Sequence, residues 1–290
     1  MNNHDGGLAY KPGLMGRVAR VVLPVLHRIL PFAIYRVVYS FLYGFYVRLL
    51  RIAYFFWMLV VRVTGTSRSA LRAKLVYQLL PFTMGGRQAL ENAFDVTAMA
   101  EDRGIPGALV ECGVAEGGTS AMLAMTNRCL GNTSRAKWLF DSYEGLPEPT
   151  QEDYEGGTTG DFIRPLPKGA CLGTVEQVEE LMFETLCFSQ NDTFLIKGWF
   201  QDSVPRHRAR IGDIAVLRLD GDWYESTKIP LENLYDFVSP GGFVIIDDYG
   251  TCFGSRKAVD EFRRERRLES PLNSDGRGGV WFEKPRDDTD

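Results

Sequence analysis

Short apolar runs alternate with longer helix-like stretches from residue 108 to the end of the chain. Strand-sized runs separated by helices require right-handed crossovers, and these build an open parallel sheet with helices on both faces. The alternation therefore predicts an α/β fold. Ligands of such sheets bind outside the carboxyl ends of the strands, where this chain places Asp and Gly residues. The predicted strands are ALVEC (108–112), KWLFD (137–141), TFLIKGW (193–199), IAVLRLD (214–220) and GFVIIDD (242–248), with a last strand in GRGGVWFEK (276–284).

Basic and acidic residues are unevenly distributed along the chain. It holds 33 Lys or Arg and 37 Asp or Glu in 290 residues, but the first 90 residues contain twelve of the basic ones and, of the acidic ones, only Asp5. This asymmetry predicts that the amino-terminal part faces surroundings that the rest does not. The basic residues form no compact run and lie among aliphatic side chains, which argues against a nucleic acid partner.

Residues 17–62 are strongly apolar and are interrupted by arginine. Their longest uncharged runs have 11 and 10 residues, whereas a transmembrane helix needs about 20 apolar residues. On a helix, Arg48, Arg51 and Arg62 form one narrow stripe beside a broad aromatic and aliphatic face. This arrangement is typical of a helix that lies in the membrane interface. A helical arm that packs on the remaining domain, or on another subunit of a homo-oligomer, is the alternative.

The chain is expected to divide into a basic, apolar helical segment (residues 1–69) and an α/β domain (residues 70–290). TGTSRS at residues 64–69 predicts a short polar linker, and residues 70–103 predict two helices with a break at PFTMGGR. The five cysteines are scattered, without a CxxC or Cys/His cluster. They argue against a zinc site or a disulfide framework and favour the cytoplasm. Membrane contact through the apolar segment would place the protein peripherally at the inner face of the membrane.

The turn VECGVAEGGTS, between a predicted strand and a predicted helix, is rich in glycine. Gly113, Gly117 and Gly118 let the backbone pass close to a ligand, but their spacing matches neither a dinucleotide fingerprint nor a phosphate loop. Glu111 and Glu116 would repel a diphosphate and favour a cationic ligand such as S-adenosylmethionine, which carries a sulfonium and an ammonium group. A plain strand–helix turn is the alternative.

Further candidate residues follow the second and third predicted strands. Asp141 stands where a carboxylate holds a ribose diol, and an N-cap of the next turn is its alternative role. Trp199, after Gly198, is placed to pack against an adenine ring or, alternatively, in the core. The acidic, glycine-rich stretch EPTQEDYEGGTTGDF (148–162) predicts a surface excursion or an active-site lid.

Four aspartates follow two very apolar predicted strands. Asp220 and Asp222, with one glycine between them, end the first strand, and Asp247 and Asp248 end the second. Carboxylates that converge in one crevice repel one another strongly as bare charges. A hard divalent cation with oxygen ligands relieves this repulsion, and Mg²⁺ is the usual one. The pattern therefore predicts a metal site if the two strands are neighbours; separate loop caps are the alternative.

The motifs VECGVAEGG, FDSYEGLP, IKGWFQDSVP, LRLDGDWYEST and GGFVIIDDYG, in this order, resemble the macrocin O-methyltransferase family over roughly residues 80–285. The resemblance implies a class I methyltransferase fold, a Rossmann-like seven-stranded sheet whose last strand is antiparallel, here with an N-terminal helical extension. It further implies Mg²⁺-dependent transfer of a methyl group from S-adenosylmethionine to a sugar hydroxyl of a small molecule or glycan (a glycoside, glycolipid or antibiotic sugar).

The resemblance also assigns roles to individual residues. Asp222 matches the general base, and Asp220, Asp247 and Asp248 match the metal ligands. Some relatives place a histidine base where this chain has Trp223, which leaves Asp222 as the better candidate. The residues expected at the cofactor are Glu111, Gly113, Val114, Glu116, Gly117, Thr119, Ser120, Asp141, Ser142, Gly198, Trp199 and Asp220.

Three other functions compete with sugar methylation. A catechol-type O-methyltransferase uses a similar metal site but places a lysine near the base, and this chain offers none before Lys228. A metal-dependent glycosyltransferase would use Asp220-Gly221-Asp222 as a DxD motif, which leaves the glycine turn and Asp141 without roles. A non-catalytic membrane adaptor on a degenerate domain is expected to have lost an aspartate of the cluster, and all four are present.

Overall fold

The computed structural model describes residues 29–154, 162–163 and 165–286. The start of the apolar segment, with Pro24, and seven residues of the predicted lid therefore lie outside the described residues. Contacts divide the chain into two compact units, one of which ends at Pro81 while the other continues from Phe82. The domain boundary predicted at residue 69 stays a prediction.

The described part of the amino-terminal unit contains two long helices. Helix α1 (Phe32–Thr64) begins directly after Pro31, because proline is tolerated at a helix start but not inside a helix. Helix α2 (Ser67–Leu79) begins after the N-cap Thr66, whose hydroxyl oxygen accepts a hydrogen bond from the Ser69 N–H at 3.1 Å. The linker predicted over TGTSRS is thus too long, since Thr64 ends α1, Thr66 caps α2 and its second half, SRS, starts α2, so that two residues separate the helices.

Helix α1 exposes most of its large apolar side chains. Its contacts with α2 include the Arg51 guanidinium, 5.0 Å from the centre of the Tyr77 ring, and the Phe55 ring, 6.3 Å from it. The stretch Gly44–Thr64 is long and apolar enough to cross a membrane. Length and composition alone are weak support for a span, because core helices of soluble proteins share both properties.

The second unit is built on a seven-stranded sheet with the order β3-β2-β1-β4-β5-β7-β6. The first five strands are parallel, β7 runs antiparallel to β5, and β6 runs antiparallel to β7. The predicted α/β fold and the antiparallel last strand are confirmed. The strands are β1 (Ala108–Cys112), β2 (Lys137–Asp141), β3 (Thr193–Lys197), β4 (Ile214–Leu219), β5 (Val238–Ile246), β6 (Asn273–Ser274) and β7 (Val280–Glu283).

Helices cover both faces of this sheet and connect its parallel strands. They are α3 (Gly86–Asp102), α4 (Gly118–Leu130), α5 (Gln151–Tyr154), α6 (Val175–Glu179) with a π-helical continuation (Glu180–Thr185), α7 (Phe200–Ile211), α8 (Tyr224–Leu234) and α9 (Phe253–Glu265). The break between α2 and α3 falls at PFTMGGR, as predicted.

The central strands explain both the core and the position of the crevice. Every residue of β1 and β4 is buried, as expected of parallel strands that are covered on both faces. The chain continues from β1 towards β2 on one side, whereas β4 lies on the other side of β1. A crevice opens at such a switch point. Gly113 follows β1 with φ +97°, and a Cβ there would overlap the backbone carbonyl of Asp220, which follows β4.

Candidate active site

A cavity of about 610 Å³ opens at the carboxyl ends of the parallel strands. Its walls come from the turns after β1 to β5 and from the segment that precedes α5. The order of the strands makes β4 and β5 neighbours, so the aspartates that follow them converge as predicted. The sequence-predicted site residues that line the cavity are Gly113, Asp141, Ser142, Trp199, Asp220, Asp222, Asp247 and Asp248.

Asp141 joins the end of β2 to the glycine turn after β1. Its Oδ2 accepts hydrogen bonds from the backbone N–H groups of Val114 (2.7 Å) and Ala115 (2.9 Å), and its Oδ1 accepts one from Tyr143 N–H (2.7 Å). The carboxylate does not cap a helix. It shapes the turn and remains part of the cavity wall. Trp199, at the start of α7, is half-buried and also lines the cavity, so it is not a core tryptophan.

Three residues predicted at the cofactor form a polar cluster away from the cavity wall. The buried Glu111 carboxylate accepts hydrogen bonds from Thr119 Oγ1 (2.6 Å) and Ser120 Oγ, and from Arg218 Nη1 (2.5 Å). Burial raises the pKa of Glu111, although Arg218 opposes this shift. The Glu111 carboxylate is thus held by three side chains and does not line the cavity, and its predicted contact with the cofactor stays a prediction.

Four further predicted cofactor residues belong to the turns without lining the cavity. Gly117 precedes α4 with φ +85°, and Gly198 ends the turn after β3 with φ +145°, two backbone conformations that favour glycine. Val114 contributes its N–H to Asp141. Burial raises the pKa of Glu116. These residues, Val114, Glu116, Gly117 and Gly198, shape the loops around the cavity.

Arg218 connects the carboxylates of three strands. It is only 1% exposed and lies in β4 beside Glu111 of β1. Its Nη1 lies 2.9 Å from Asp220 Oδ2, and its Nη2 lies 2.6 Å from Asp247 Oδ1. Burial lowers the pKa of Arg218, but the Asp220 and Glu111 carboxylates more than offset this, so the guanidinium stays charged.

Asp247 has a second arginine partner in Arg277, which precedes β7. Nη2 of Arg277 pairs with Asp247 Oδ2 and also lines the cavity. The expectation that a bound cation alone relieves the repulsion among the aspartates is therefore incomplete, because two guanidinium groups share that role. The two arginines pair with Glu111, Asp220 and Asp247, so the carboxyl groups of the site outnumber its guanidinium groups.

Asp222 stands apart from this arginine network. Its φ of +58° is unusual for a non-glycine residue, and strain of this kind concentrates at functional sites. The buried thiol of Cys252 lies 3.7 Å from Asp222 Oδ1. Burial and the Asp248 carboxylate keep the pKa of this thiol well above its ordinary value, so it stays protonated and donates. Burial, and next the charge of Asp220, raise the pKa of Asp222 to about 7.

Residues 66–284 match the family model described as macrocin-O-methyltransferase (TylF). The chain belongs to this family. It is 38% identical over 201 residues, 69% of this chain and 74% of the relative, to 8-demethyl-8-(2,3-dimethoxy-alpha-L-rhamnosyl)-tetracenomycin-C 4'-O-methyltransferase of Streptomyces olivaceus. It is 34% identical over 204 residues, 70% of this chain and 76% of the relative, to demethyldecarbamoylnovobiocin O-methyltransferase of Streptomyces niveus.

A solved structure supports the same assignment. The O-methyltransferase NovP superposes with a TM-score of 0.62 at 34% identity, covering 71% of this chain and 83% of that chain. This member of the macrocin O-methyltransferase family is therefore an O-methyltransferase with the class I fold. The family assignment decides against the glycosyltransferase alternative.

The aspartate cluster fits a metal ion by its geometry. One oxygen each of Asp220, Asp247 and Asp248 lies within 4.8 Å of the others. Oδ2 of Asp248 is buried and has no hydrogen-bond partner in the described part of the chain, which is costly for a polar atom. Burial, and next the Asp222 carboxylate, raise the pKa of Asp248 well above its ordinary value. A divalent cation matches both the oxygen donors and the excess negative charge.

Arg218, Arg277, Cys252 and Asp153 were missed by sequence reasoning. Arg218 had a usable signal, since a charged residue inside a continuous apolar strand must be paired. Asp153, in α5, accepts a hydrogen bond from the Tyr224 N–H at 2.7 Å, and nothing in its local sequence indicates this contact. The same holds for the other two residues, whose partners lie on distant loops.

Proposed function

We propose that this enzyme transfers a methyl group from S-adenosylmethionine to a hydroxyl of a sugar, with Mg²⁺ bound by Asp220, Asp247 and Asp248. One observation carries the proposal: the same cavity is lined by Gly113 and Asp141 and by the aspartate cluster with Asp222. A cofactor and an acceptor can therefore meet there. The similarity to enzymes whose names include a rhamnosyl compound and mycinamicin III supports a sugar acceptor in natural product biosynthesis.

The cofactor side is proposed to be the part formed by Gly113, Asp141, Ser142 and Trp199. Gly113 lets the turns after β1 and β4 approach closely, because a Cβ there would overlap the backbone carbonyl of Asp220, and both residues line the cavity. Asp141 already has its orientation fixed by three backbone N–H groups, so it is held ready to accept hydrogen bonds from a ribose diol. Trp199 offers a flat apolar surface to the adenine ring. S-adenosylmethionine supplies the electrophilic methyl group.

The acceptor side is proposed to be the part near Asp222. Asp222 has a left-handed backbone directly after Gly221 and lines the cavity. With one oxygen held by Cys252, the carboxylate is free to accept the hydroxyl proton of the acceptor. A base with a pKa near the working pH is well suited to this step. Its role is to remove that proton as the oxygen attacks the methyl group.

Mg²⁺ would be held by Asp220, Asp247 and Asp248. Arg218 fixes Asp220 and Asp247, and Arg277 fixes Asp247. When bound, the cation supplies Lewis-acid polarisation that lowers the pKa of the hydroxyl and orients it. The two arginines offset part of the negative charge of the carboxylates, so the folded arrangement of the aspartates does not depend on the cation alone. Alignment of the reacting groups supplies much of the acceleration in such reactions, up to about 7–11 kcal/mol.

The reaction is proposed to take place in the cytoplasm. All five cysteines are free, which fits a reducing compartment. Cys171 lines the cavity, and Cys252 lies beside Asp222. Oxidation of either thiol to a disulfide or a sulfinic acid would alter the site.

The test measures methyl transfer from isotopically labelled S-adenosylmethionine to a panel of deoxysugar glycosides, a glycolipid and a catechol, in MgCl₂ and in EDTA. Transfer to a sugar that depends on Mg²⁺ is the expected result. Preferred transfer to the catechol would replace the sugar acceptor, and full activity in EDTA would remove the metal from the proposal. Calorimetry with S-adenosylmethionine and with a UDP-sugar, with and without Mg²⁺, provides an independent control for the cofactor.

A further inference from the structure

Between residues 41 and 63, helix α1 has one side on which every large side chain is apolar and exposed. At about 100° per residue, these side chains cover a sector of roughly 160°, and no charged residue falls within it between residues 41 and 63. This surface is called here the apolar face of α1. Its members are Phe41, Leu42, Phe45, Tyr46, Leu49, Ile52, Phe56, Trp57, Leu59, Val60 and Val63.

The apolar face points away from the helix that packs beside α1. Arg51 and Phe55, outside the face, contact Tyr77 of α2, and Arg48 and Arg62 lie on the same side as Arg51 in the helical projection. The helix is thus divided into a side with arginines that faces α2 and a side without charge whose large side chains are exposed among the described residues. Exposed apolar patches of this extent on soluble proteins mark interaction sites.

The charge of this unit favours an anionic partner. Residues 29–81 contain no Asp or Glu, and they carry seven basic residues. A basic helix with a continuous apolar face is the combination that binds anionic lipid surfaces, where the headgroups attract the cations and the acyl region takes the apolar side chains. A second copy of the same unit would bring like charges together, which disfavours self-association. The basic residues are Arg36, Arg48, Arg51, Arg62, Arg68, Arg72 and Lys74.

The packing of α2 favours a helix in the plane of the membrane over a span. Tyr77 contacts the middle of the stretch Gly44–Thr64, so a spanning α1 would draw α2 with its exposed Lys74 and Gln78 into the hydrocarbon. The longest uncharged run within that stretch has ten residues, or about 15 Å of helix, against a hydrocarbon core of about 30 Å.

We propose that the apolar face of α1 lies on an anionic lipid bilayer, with the helix axis parallel to the membrane surface. The apolar side chains enter the boundary between headgroups and acyl chains, about 5–10 Å deep. Arg48 and Arg62, beside this face, then lie at headgroup level. The partner is a lipid surface, independent of which acceptor the enzyme methylates.

The first experiment is co-sedimentation of the full chain with vesicles of phosphatidylcholine alone or of phosphatidylcholine mixed with the anionic lipid phosphatidylglycerol. Binding to the anionic vesicles that weakens as NaCl is raised is expected. The double variant F45Q/F56Q removes two members of the apolar face and should lower the affinity roughly tenfold or more. The matched control Y154Q/L172Q removes two exposed apolar side chains of the second unit and should bind like the wild type.

Depth and competing occupants are tested on the same proteins. Trp57 lies on the apolar face, and its emission is obtained by subtracting the W57F spectrum from that of the wild type. This emission should shift to shorter wavelength on binding. Lipids brominated near the headgroup should quench it more than lipids brominated near the end of the acyl chain. Stronger quenching by deep bromines would indicate a span and overturn the in-plane proposal. Vesicle binding that is absent, or a dimer in light scattering that F45Q/F56Q dissociates, would overturn it as well. Circular dichroism confirms that each variant is folded.

Discussion

Nη2 of Arg218 lies 2.6 Å from Oδ1 of Asp247, while Nη1 of the same guanidinium lies 2.5 Å from Oε1 of Glu111. One side chain in β4 therefore ties the ends of β1 and β5 together below the cavity. The orientation of Asp247, a proposed metal ligand, thus depends on a carboxylate that does not line the cavity, because Glu111 holds the arginine that holds Asp247.

Replacing Arg218 by Met should be among the most destabilising single changes near the site. Removal of one partner from a buried ion pair leaves uncompensated charge and costs about 3–5 kcal/mol. We expect the free energy of unfolding in urea to fall by this amount. The double variant R218M/E111Q should recover part of the loss, because it removes one of the stranded carboxylates. Equal stability of R218M and R218M/E111Q would contradict the coupling between the two residues.

The central strands could be predicted from sequence because they are buried, and the same burial surrounds Arg218. Central parallel strands are covered on both faces, so IAVLRL stands out as an apolar run, and its end locates Asp220 and Asp222. The partner of Arg218 could not be predicted from local sequence, since Glu111 lies 107 positions earlier in the chain. Local composition identifies which residues follow a strand, while the partners of a buried charge depend on how the strands are ordered.

Substituting Asp222 by Asn should separate catalysis from cofactor binding. The amide cannot accept the proton of the acceptor hydroxyl, so kcat should fall by about 10²–10⁴. The dissociation constant of S-adenosylmethionine, measured by calorimetry, should stay within about twofold of the wild type because Asp222 lies on the acceptor side. Asp202→Asn alters an exposed carboxylate outside the cavity and serves as the control. An unchanged kcat in D222N would assign proton removal elsewhere.

Substituting Asp248 by Asn should weaken metal binding without unfolding the protein. The change removes one anionic donor, and a Mn²⁺ titration followed by electron paramagnetic resonance should show a loss of affinity of roughly tenfold or more. Because burial raises the pKa of Asp248, the neutral side chain should leave the metal-free protein at least as stable as the wild type at pH 8. A variant that binds Mn²⁺ normally would remove Asp248 from the ligand set.

The stability of the metal-free protein should depend on pH through Asp222. Its pKa is raised to about 7 in the folded state, chiefly by burial, against about 3.9 in an unfolded chain. Between these two pKa values the folded state holds a proton that the unfolded state has released. The contribution of Asp222 to the free energy of unfolding is therefore complete below about pH 4 and is lost as the pH rises to about 7. The difference in unfolding free energy between wild type and D222N in EDTA should fall by up to about 1.4 kcal/mol per pH unit in this window. A difference that is constant from pH 4.5 to 7 would contradict it.

The sequence predicts the backbone positions of the site residues better than the partners of their side chains. The glycine turn and the aspartates were identified because each follows directly on a strand. Glu111, Thr119 and Ser120 were placed at the cofactor because they belong to the same turn, but their side chains point to Arg218 and to one another. Position within a motif predicts where a backbone runs. It does not predict on which side of the turn a side chain finds its hydrogen bonds.

Asp153 holds the segment before the undescribed part of the predicted lid against the helix that follows Asp222. Its Oδ1 accepts a hydrogen bond from the Tyr224 N–H at 2.7 Å, and its Oδ2 accepts one from the Thr150 N–H at 2.7 Å. Tyr224 is the first residue of α8, whose own N-cap, Trp223, provides no side-chain hydrogen bond. The first N–H groups of a helix need outside acceptors, and a carboxylate is favoured there by the helix dipole.

Replacing Asp153 by Ala should therefore affect Asp222, two residues before Tyr224. The loss of this cap should lower the free energy of unfolding by about 1–2 kcal/mol. Since α8 then starts less firmly, kcat should fall and the KM for the acceptor should rise, while the affinity for S-adenosylmethionine changes little. Asp153→Asn keeps one carbonyl oxygen for Tyr224 and should recover part of kcat. Gln151→Ala, at an exposed position of α5 that does not line the cavity, should leave kcat near the wild-type value. If D153A and Q151A had the same kinetic parameters, the cap on α8 would have no part in positioning Asp222.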